Sequence, residues 1–455
     1  MQRSVLRAEI TPDRGLIKTE LNWLKENKLS QLQLWQPVLL CLSLRVRVQF
    51  KRCAWHSDGA EAQVEGADAD ATRHRQVRFG SNRGGYMAKA QQKAQETFVR
   101  YSDEVETIQH GEAETVEQIT ATLLDIAKRV GERQRHTVRA VHAKSNGLVK
   151  AEVTVLADLR EELRQGLFAK PASYGAVMRF SSEPGDVLSD HISTPRGLAI
   201  KIIGVEGEML PNHAGQVTQD FICNNGSTFA PNVDVFLKAI RLRAKHADDS
   251  EALKQVVSSA AQTAEEALEL VGKKSALLTG FGHPPTHPLG ETYHTAAPLR
   301  FGDYFGKMRL VPVSDNLIAL QGKHVDHPHS WNCLKDSIVA FFQRETAVWE
   351  LRVQLCTELT KMPVEDSSVE WDDKLSPPLT VARITARPQN AYSDARRIWV
   401  DEQLSFNPWH SLAAHRPLGG IMRARLKAYQ ASSQFRHSAE GRPTAEPRSV
   451  EELPD

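Results

Sequence analysis

Between Gly147 and Cys223 the chain breaks into short β-prone runs, KAEVTVLAD, SYGAVMRFSS, RGLAIKIIGV and VTQDFIC, parted by glycine, proline and polar turns. That spacing predicts an antiparallel barrel or meander. Further strands are expected around Tyr304 to Val313, Trp349 to Thr357 and Leu379 to Ala386. Apolar residues at three- and four-residue spacing predict helices over Asn232 to Ala247, over 250–273 and near Lys335 to Arg344. Gly280 to Pro298, rich in glycine, proline and histidine, reads as loop. The fold class is therefore α+β, an antiparallel β-barrel core with surrounding helices.

Residues 1–86 lack sustained periodicity and pass through DGAEAQVEGADADATRHRQVRFGSNRGG, so they read as a disordered extension or a mis-called start. Helix formers begin at Met87, and the folded unit is expected over 87–437, with an extended tail over 438–455. Composition constrains function mostly by exclusion. A net charge of +1 over 455 residues argues against a broad nucleic-acid surface. Five widely spaced cysteines without a CxxC pair support neither a disulfide framework nor a zinc site. The longest apolar run, LWQPVLLCLSL, is too short to span a bilayer and lies too far from Met1 for an ordinary signal peptide. A cytoplasmic protein is expected.

Four places could carry chemistry. In MRARLKAYQASSQFR, Arg425 and Tyr429 stand four residues apart, on one face of a helix, and Arg436 follows seven residues on. An ordinary phenol keeps its proton at neutral pH; a fixed cation favours the anionic form, which is the form that binds metal. VRAVHAKSN sets His142 between Val141 and Ala143, with Arg139 three residues before it. An imidazole can move a proton near neutral pH. AVMRFSS puts Arg179 in a half-buried strand pattern, where a buried guanidinium needs an anion. PRGLAIKI and GQVTQDF form the fourth place. Taken singly, each has a plain structural reading: a basic helix with a tyrosine, a core histidine, a solvent-facing arginine.

In this order, the four segments resemble the haem catalases and their smaller catalase-like relatives. VRAVHAK is similar to the distal-histidine motif, RFSS to the arginine–phenylalanine–serine strand, STPRGLAIKI to the aspartate–proline–arginine–glycine–phenylalanine segment, and RLKAYQASSQFR to the proximal motif. The resemblance runs from about Arg139 to Arg436, roughly two-thirds of the chain. It implies one haem b with Tyr429 as axial iron ligand and Arg425 holding it as phenolate. It implies Arg139, Arg179 and Arg436 at the haem propionates, His142 as distal acid–base and Ser181 orienting its ring. Phe229 is implied as an aromatic over the haem, Val141 as a wall of the channel, and Gln216 as the distal amide.

The activity so implied is cleavage of hydrogen peroxide or organic hydroperoxides by a catalase or peroxidase. The alternatives are a lipid hydroperoxide isomerase or lyase of the allene oxide synthase type, against which Val141 leans, and a non-enzymatic haem-binding protein. The reductant and any homo-oligomeric state stay open; neither nucleic acid nor a membrane span is expected. Tyr304 is a rival iron ligand read as a strand residue, because no arginine stands four residues before it. His283, His287 and His294 read as turn residues, and His410 and His415 carry no assigned role.

Overall fold

The structure, a computed structural model, describes residues 97–192, 194–245, 247, 249, 286–325 and 330–455. The 1–86 extension, the expected helix over 250–273 and His283 lie outside the described residues.

Nine strands are described: β1 (Ser145–Val155), β2 (Ser173–Ser182), β3 (Arg196–Ile203), β4 (Thr218–Asn224), β5 (Tyr293–Thr295), β6 (Leu299–Phe301), β7 (Tyr304–Pro312), β8 (Ala347–Leu355) and β9 (Leu379–Ala386). They pair in the order β5-β4-β3-β2-β1-β9-β8-β7-β6, and a further β5–β7 pairing closes the ring. The result is an eight-stranded antiparallel barrel with β6 folded back on β7. The β-prone runs SYGAVMRFSS and Leu379 to Ala386 form β2 and β9. The closing strand β5 falls inside the expected Gly280 to Pro298 loop, which corrects that reading. Three residues are too few to show a period of two, and β4 and β7 supply the pairing that makes them a strand.

Alternation along the strands sorts their side chains. Met178, Phe180, Leu198, Ile200 and Phe221 belong to the main core, where Phe180 meets Tyr293 edge-on at 6.0 Å and Trp349 at 6.2 Å. Val177, Ala199, Ile203 and Ile222 point the other way and pack with Val400, Leu404 and Phe406. Arg179 pairs across with Ala199, and Ala199 with Ile222, so the outer face carries one arginine within an apolar band.

Helices cover part of that outer face. Helix α1 (Glu112–Gln134), α2 (Val233–Lys245) and a later helix (Gly420–Glu440) share a second core built from Ile119, Leu123, Leu237, Ile240, Ala424 and Ala428. Between these in sequence, α3 (Cys333–Phe342) sends Ile338 and Phe342 into the main core. The last helix, α4, starts on carboxylates: Glu106 accepts from the Gly419 amide at 2.8 Å and Glu365 from the Gly420 amide at 2.7 Å. Anions there complement the positive end of the helix, and Arg423 ties in Glu106, Glu112 and Glu365.

The tail is docked, with a short 3-10 turn at Val450–Glu452, and Leu453 is buried. Glu446 reaches Lys201 at 2.7 Å, and Asp220 holds the same fully buried ammonium at 2.8 Å from across the β3–β4 ladder. Removing the cation would strand two carboxylates. Lys201→Met is expected to lower the unfolding free energy by about 3–5 kcal/mol, read from urea denaturation.

Candidate functional site

A cleft with about 700 Å³ of free space, open solvent at its mouth included, lies between the outer barrel face and α4. Its barrel wall comes from Arg179, Ser181, Gly197, Ala199 and Ile222 on β2, β3 and β4. Ala428, Tyr429, Ser432, Ser433 and Arg436 of α4 form the helix wall, and Arg139, Val141 and His142 line it from the segment before β1. Leu123 and Phe406 add apolar surface. Seven residues singled out in the sequence thus meet at one place: Arg139, Val141, His142, Arg179, Ser181, Tyr429 and Arg436.

Helical spacing does for Arg425 and Tyr429 what the sequence predicts. Nη2 of Arg425 donates to the Tyr429 phenol oxygen at 2.8 Å. Arg425 is buried, and its guanidinium also lies 5.2 Å from the ring centre, so the cation is held beside the phenol.

His142 adopts a left-handed backbone, φ 55°, which is uncommon outside glycine. Its amide donates to the Glu183 carbonyl at 2.7 Å, and its Nδ1 lies 3.2 Å from Ser181 Oγ. The ring lies against Gly197, where a Cβ would overlap Cε1 and Nδ1, so only glycine leaves the imidazole its seat. Burial lowers the His142 pKa to about 4, with Glu183 opposing and Arg179 assisting, so the ring is a neutral proton acceptor at neutral pH.

The three cleft arginines converge on a residue that the sequence reading did not single out. Arg179 Nε donates to Asp401 Oδ1 at 2.7 Å and Arg139 Nη1 to the same oxygen at 3.1 Å. Arg436 Nη1 reaches the Asp401 carbonyl at 2.6 Å, and the carbonyls of Val400 and Leu404 accept from Arg139 and Arg436. Burial would raise the Asp401 carboxyl, yet Arg179 and Arg139 hold it below its ordinary 3.8. Burial pulls Arg436 down to about 10, and its Nε is buried without a partner among the described residues. Arg179 and Arg139 share one carboxylate and Arg436 meets only neutral acceptors, so the cluster is short of negative charge and suits a ligand that brings carboxylates.

Two expected site residues lie elsewhere. Gln216 is not at the cleft: it is exposed in the loop before β4, with Oε1 3.1 Å from His213 Nδ1. The amide that shares a face with Gly197 is Asn224, the last residue of β4. It pairs with Gly197, so its side chain leaves the sheet on the His142 side, and its Oδ1 is buried without a partner among the described residues. Its sequence signal is CNNGST, directly before Phe229, where the β-prone run VTQDFIC ends. Phe229 packs with Phe236 at 5.1 Å beside the helical core that also takes Val141, and is not in the cleft wall.

The weaker candidates take structural places. Tyr304 meets Phe98 edge-on and Arg100 over its ring. His415 Nε2 accepts from the Leu167 amide at 2.9 Å, and His410 Nε2 lies 2.7 Å from Thr218 Oγ1. His287 Nδ1 accepts from the Leu289 amide, and His294 sits on β5. Among the described residues no group of three or more histidine, cysteine or carboxylate side chains could hold a metal ion, and no helix is long and apolar enough to cross a membrane.

No family model matches the chain, and no curated protein does. Solved structures similar to it include a fungal catalase (17% identity, TM-score 0.47, covering 67% of this chain and 60% of that one). A bacterial catalase (16%, 0.47, 69% and 60%) and catalase A from Saccharomyces cerevisiae (16%, 0.47, 67% and 62%) are also similar. The chain spans 60–62% of the length of these three.

Two outcomes follow for the protein without ligand. Gly197→Ala is expected to cost about 1–3 kcal/mol by overpacking, and most of that cost should vanish in a His142→Ala background, measured as a double-mutant cycle by thermal melts. Burial holds His142, His287 and His415 at about 4, against an ordinary 6.5, so each binds its proton less tightly folded than unfolded. Stability should therefore be complete above pH 6.5 and fall as the pH drops from 6.5 towards 4, seen as a declining melting temperature.

Proposed function

We propose that the cleft binds haem b and that the protein is a haem-dependent enzyme acting on hydrogen peroxide or an organic hydroperoxide. The observation that carries this reading is the Arg425–Tyr429 pair, a phenol oxygen held at 2.8 Å by a buried guanidinium on the helix wall of the cleft. Tyr429 would hold the iron through its phenolate, with Arg425 as its charge partner. The charge-deficient arginine cluster suits the two carboxylates that haem b carries: Arg139 and Arg436 would meet them, and Arg179 would share its guanidinium with Asp401. When bound, a ferric haem with tyrosinate ligation supplies the redox chemistry that cleaves an O–O bond.

The chain's own groups then handle the protons. Neutral His142 takes the proton from the hydroperoxide oxygen and returns it to the departing oxygen, which leaves as water or alcohol rather than as an anion. Ser181 Oγ, 3.2 Å from Nδ1, fixes the ring's orientation and leaves Nε2 for this work. Gln216 drops out of the catalytic set. Asn224 is the amide that would steer the peroxide, its Oδ1 being buried and without a partner among the described residues, on the His142 face of β4. Small side chains on α4, Ala428, Ser432 and Ser433, leave room for a flat ligand beside Tyr429.

Two variants test the reading after the full chain is loaded with hemin. Tyr429→Phe should lose the high-spin ferric spectrum; retention of the wild-type Soret and charge-transfer bands would refute its role as iron ligand. His142→Ala should keep haem and lose peroxide cleavage by about 10²–10⁴-fold, the range for a positioned proton-transfer group. Oxygen release from hydrogen peroxide marks a catalase; turnover of a lipid hydroperoxide without oxygen marks the isomerase; a haem-loaded protein inert to all peroxides would be a carrier.

A further inference from the structure

The group that would move the proton is held by a residue some 260 positions away in sequence. Asp401 lies in a π-helical turn, Ile398–Gln403, closed by the Leu404 amide on the Trp399 carbonyl at 3.0 Å. Such turns insert one extra residue and re-aim side chains and carbonyls. Here the turn presents the Asp401 carboxylate to Arg179 Nε at 2.7 Å and to Ser145 Oγ at 2.5 Å. The other end of the same guanidinium, Nη2, donates to the His142 carbonyl at 2.8 Å and to the Ala143 carbonyl at 3.4 Å.

His142 needs such a hold. Its backbone is left-handed, a conformation that costs a non-glycine residue free energy and persists only where its surroundings impose it. Bonds from the His142 and Ala143 amides to the Glu183 and Pro184 carbonyls fix one side of the peptide, and Arg179 fixes the carbonyl side. A planar guanidinium can bridge a carboxylate and a carbonyl at once; its orientation is set most strongly by the anion, because the charge-assisted bond is the stronger one. That anion is Asp401.

We propose that Asp401 is a positioning residue for His142, acting through Arg179: the chain from carboxylate to guanidinium to carbonyl holds the imidazole on Gly197 and Ser181. Arg179 is then a backbone clamp, beyond any part it takes in binding carboxylates. The value of this for catalysis rests on the function proposed above; the clamp itself does not.

The test uses the full chain free of haem, so that a failure to bind hemin leaves it intact. The rate of His142 carbethoxylation by diethylpyrocarbonate is followed by mass spectrometry of the His142 peptide. Three variants are compared: Asp401→Asn, Arg179→Lys and Arg436→Lys. The last two keep their charge, but the ammonium at 179 cannot span both partners, whereas Arg436 touches the Asp401 carbonyl and makes no bond to His142. Losing one charged hydrogen bond should raise the population of the released loop, and so the rate, about fivefold or more. This is expected in Asp401→Asn and Arg179→Lys, with Arg436→Lys within about twofold of the wild type. If all three behave alike, Asp401 merely balances charge and the proposal falls. It falls equally if Arg179→Lys reacts as the wild type does. Should Asp401→Asn not fold, the two lysine variants decide between the same outcomes.

Discussion

Asp401 is where barrel, helix α4 and the loop before β1 are tied together, its carboxylate holding the first and last and its carbonyl the helix. It receives Arg179 from β2, Ser145 from β1 and Arg139 from the loop before β1, while its own carbonyl receives Arg436 from α4. Each of these groups would be costly to bury alone, and a shared anion makes their burial tolerable. The cleft exists because these elements are pinned at its rim and not packed shut: between the pins stand small residues, Gly197, Ala199, Ala428, Ser432 and Ser433.

Strand alternation explains why the site lies outside the barrel. A large apolar set on β2, β3 and β4 fills the interior, so the residues between them must point outwards, and those are Arg179, Ser181, Gly197, Ile222 and Asn224. The chemistry-bearing positions and the core therefore come from the same strands. A slip of one residue in register would move every one of them to the wrong face.

Much of this is legible in the amino-acid order. The β2 and β9 runs, rich in β-branched and aromatic residues, are where they were expected, and the i, i+4 spacing of Arg425 and Tyr429 alone predicted their contact. Gln216 matches by its neighbouring letters, GQVT, alone; β4 starts after it, and the strand's own amide on the face of Gly197 is Asn224 at its other end. β5 was read as loop because three residues show no period, although the barrel cannot close without them. Asp401 gave no local signal: an aspartate in VDEQLSF looks like any surface carboxylate until a π-helical turn aims it.

The class of fold, the helical pairing of a guanidinium with a phenol, and the local segments in which His142, Arg179 and Arg436 sit can all be read along the chain. These depend on contacts between residues near one another in the chain, whose geometry follows from the period of a helix or strand. Which amide faces His142, what anion the arginines meet and which glycine seats the imidazole were decided only by the tertiary structure. Those contacts join positions 142, 197, 224, 401 and 436, and their distances follow from barrel closure and strand register, which no stretch of sequence contains.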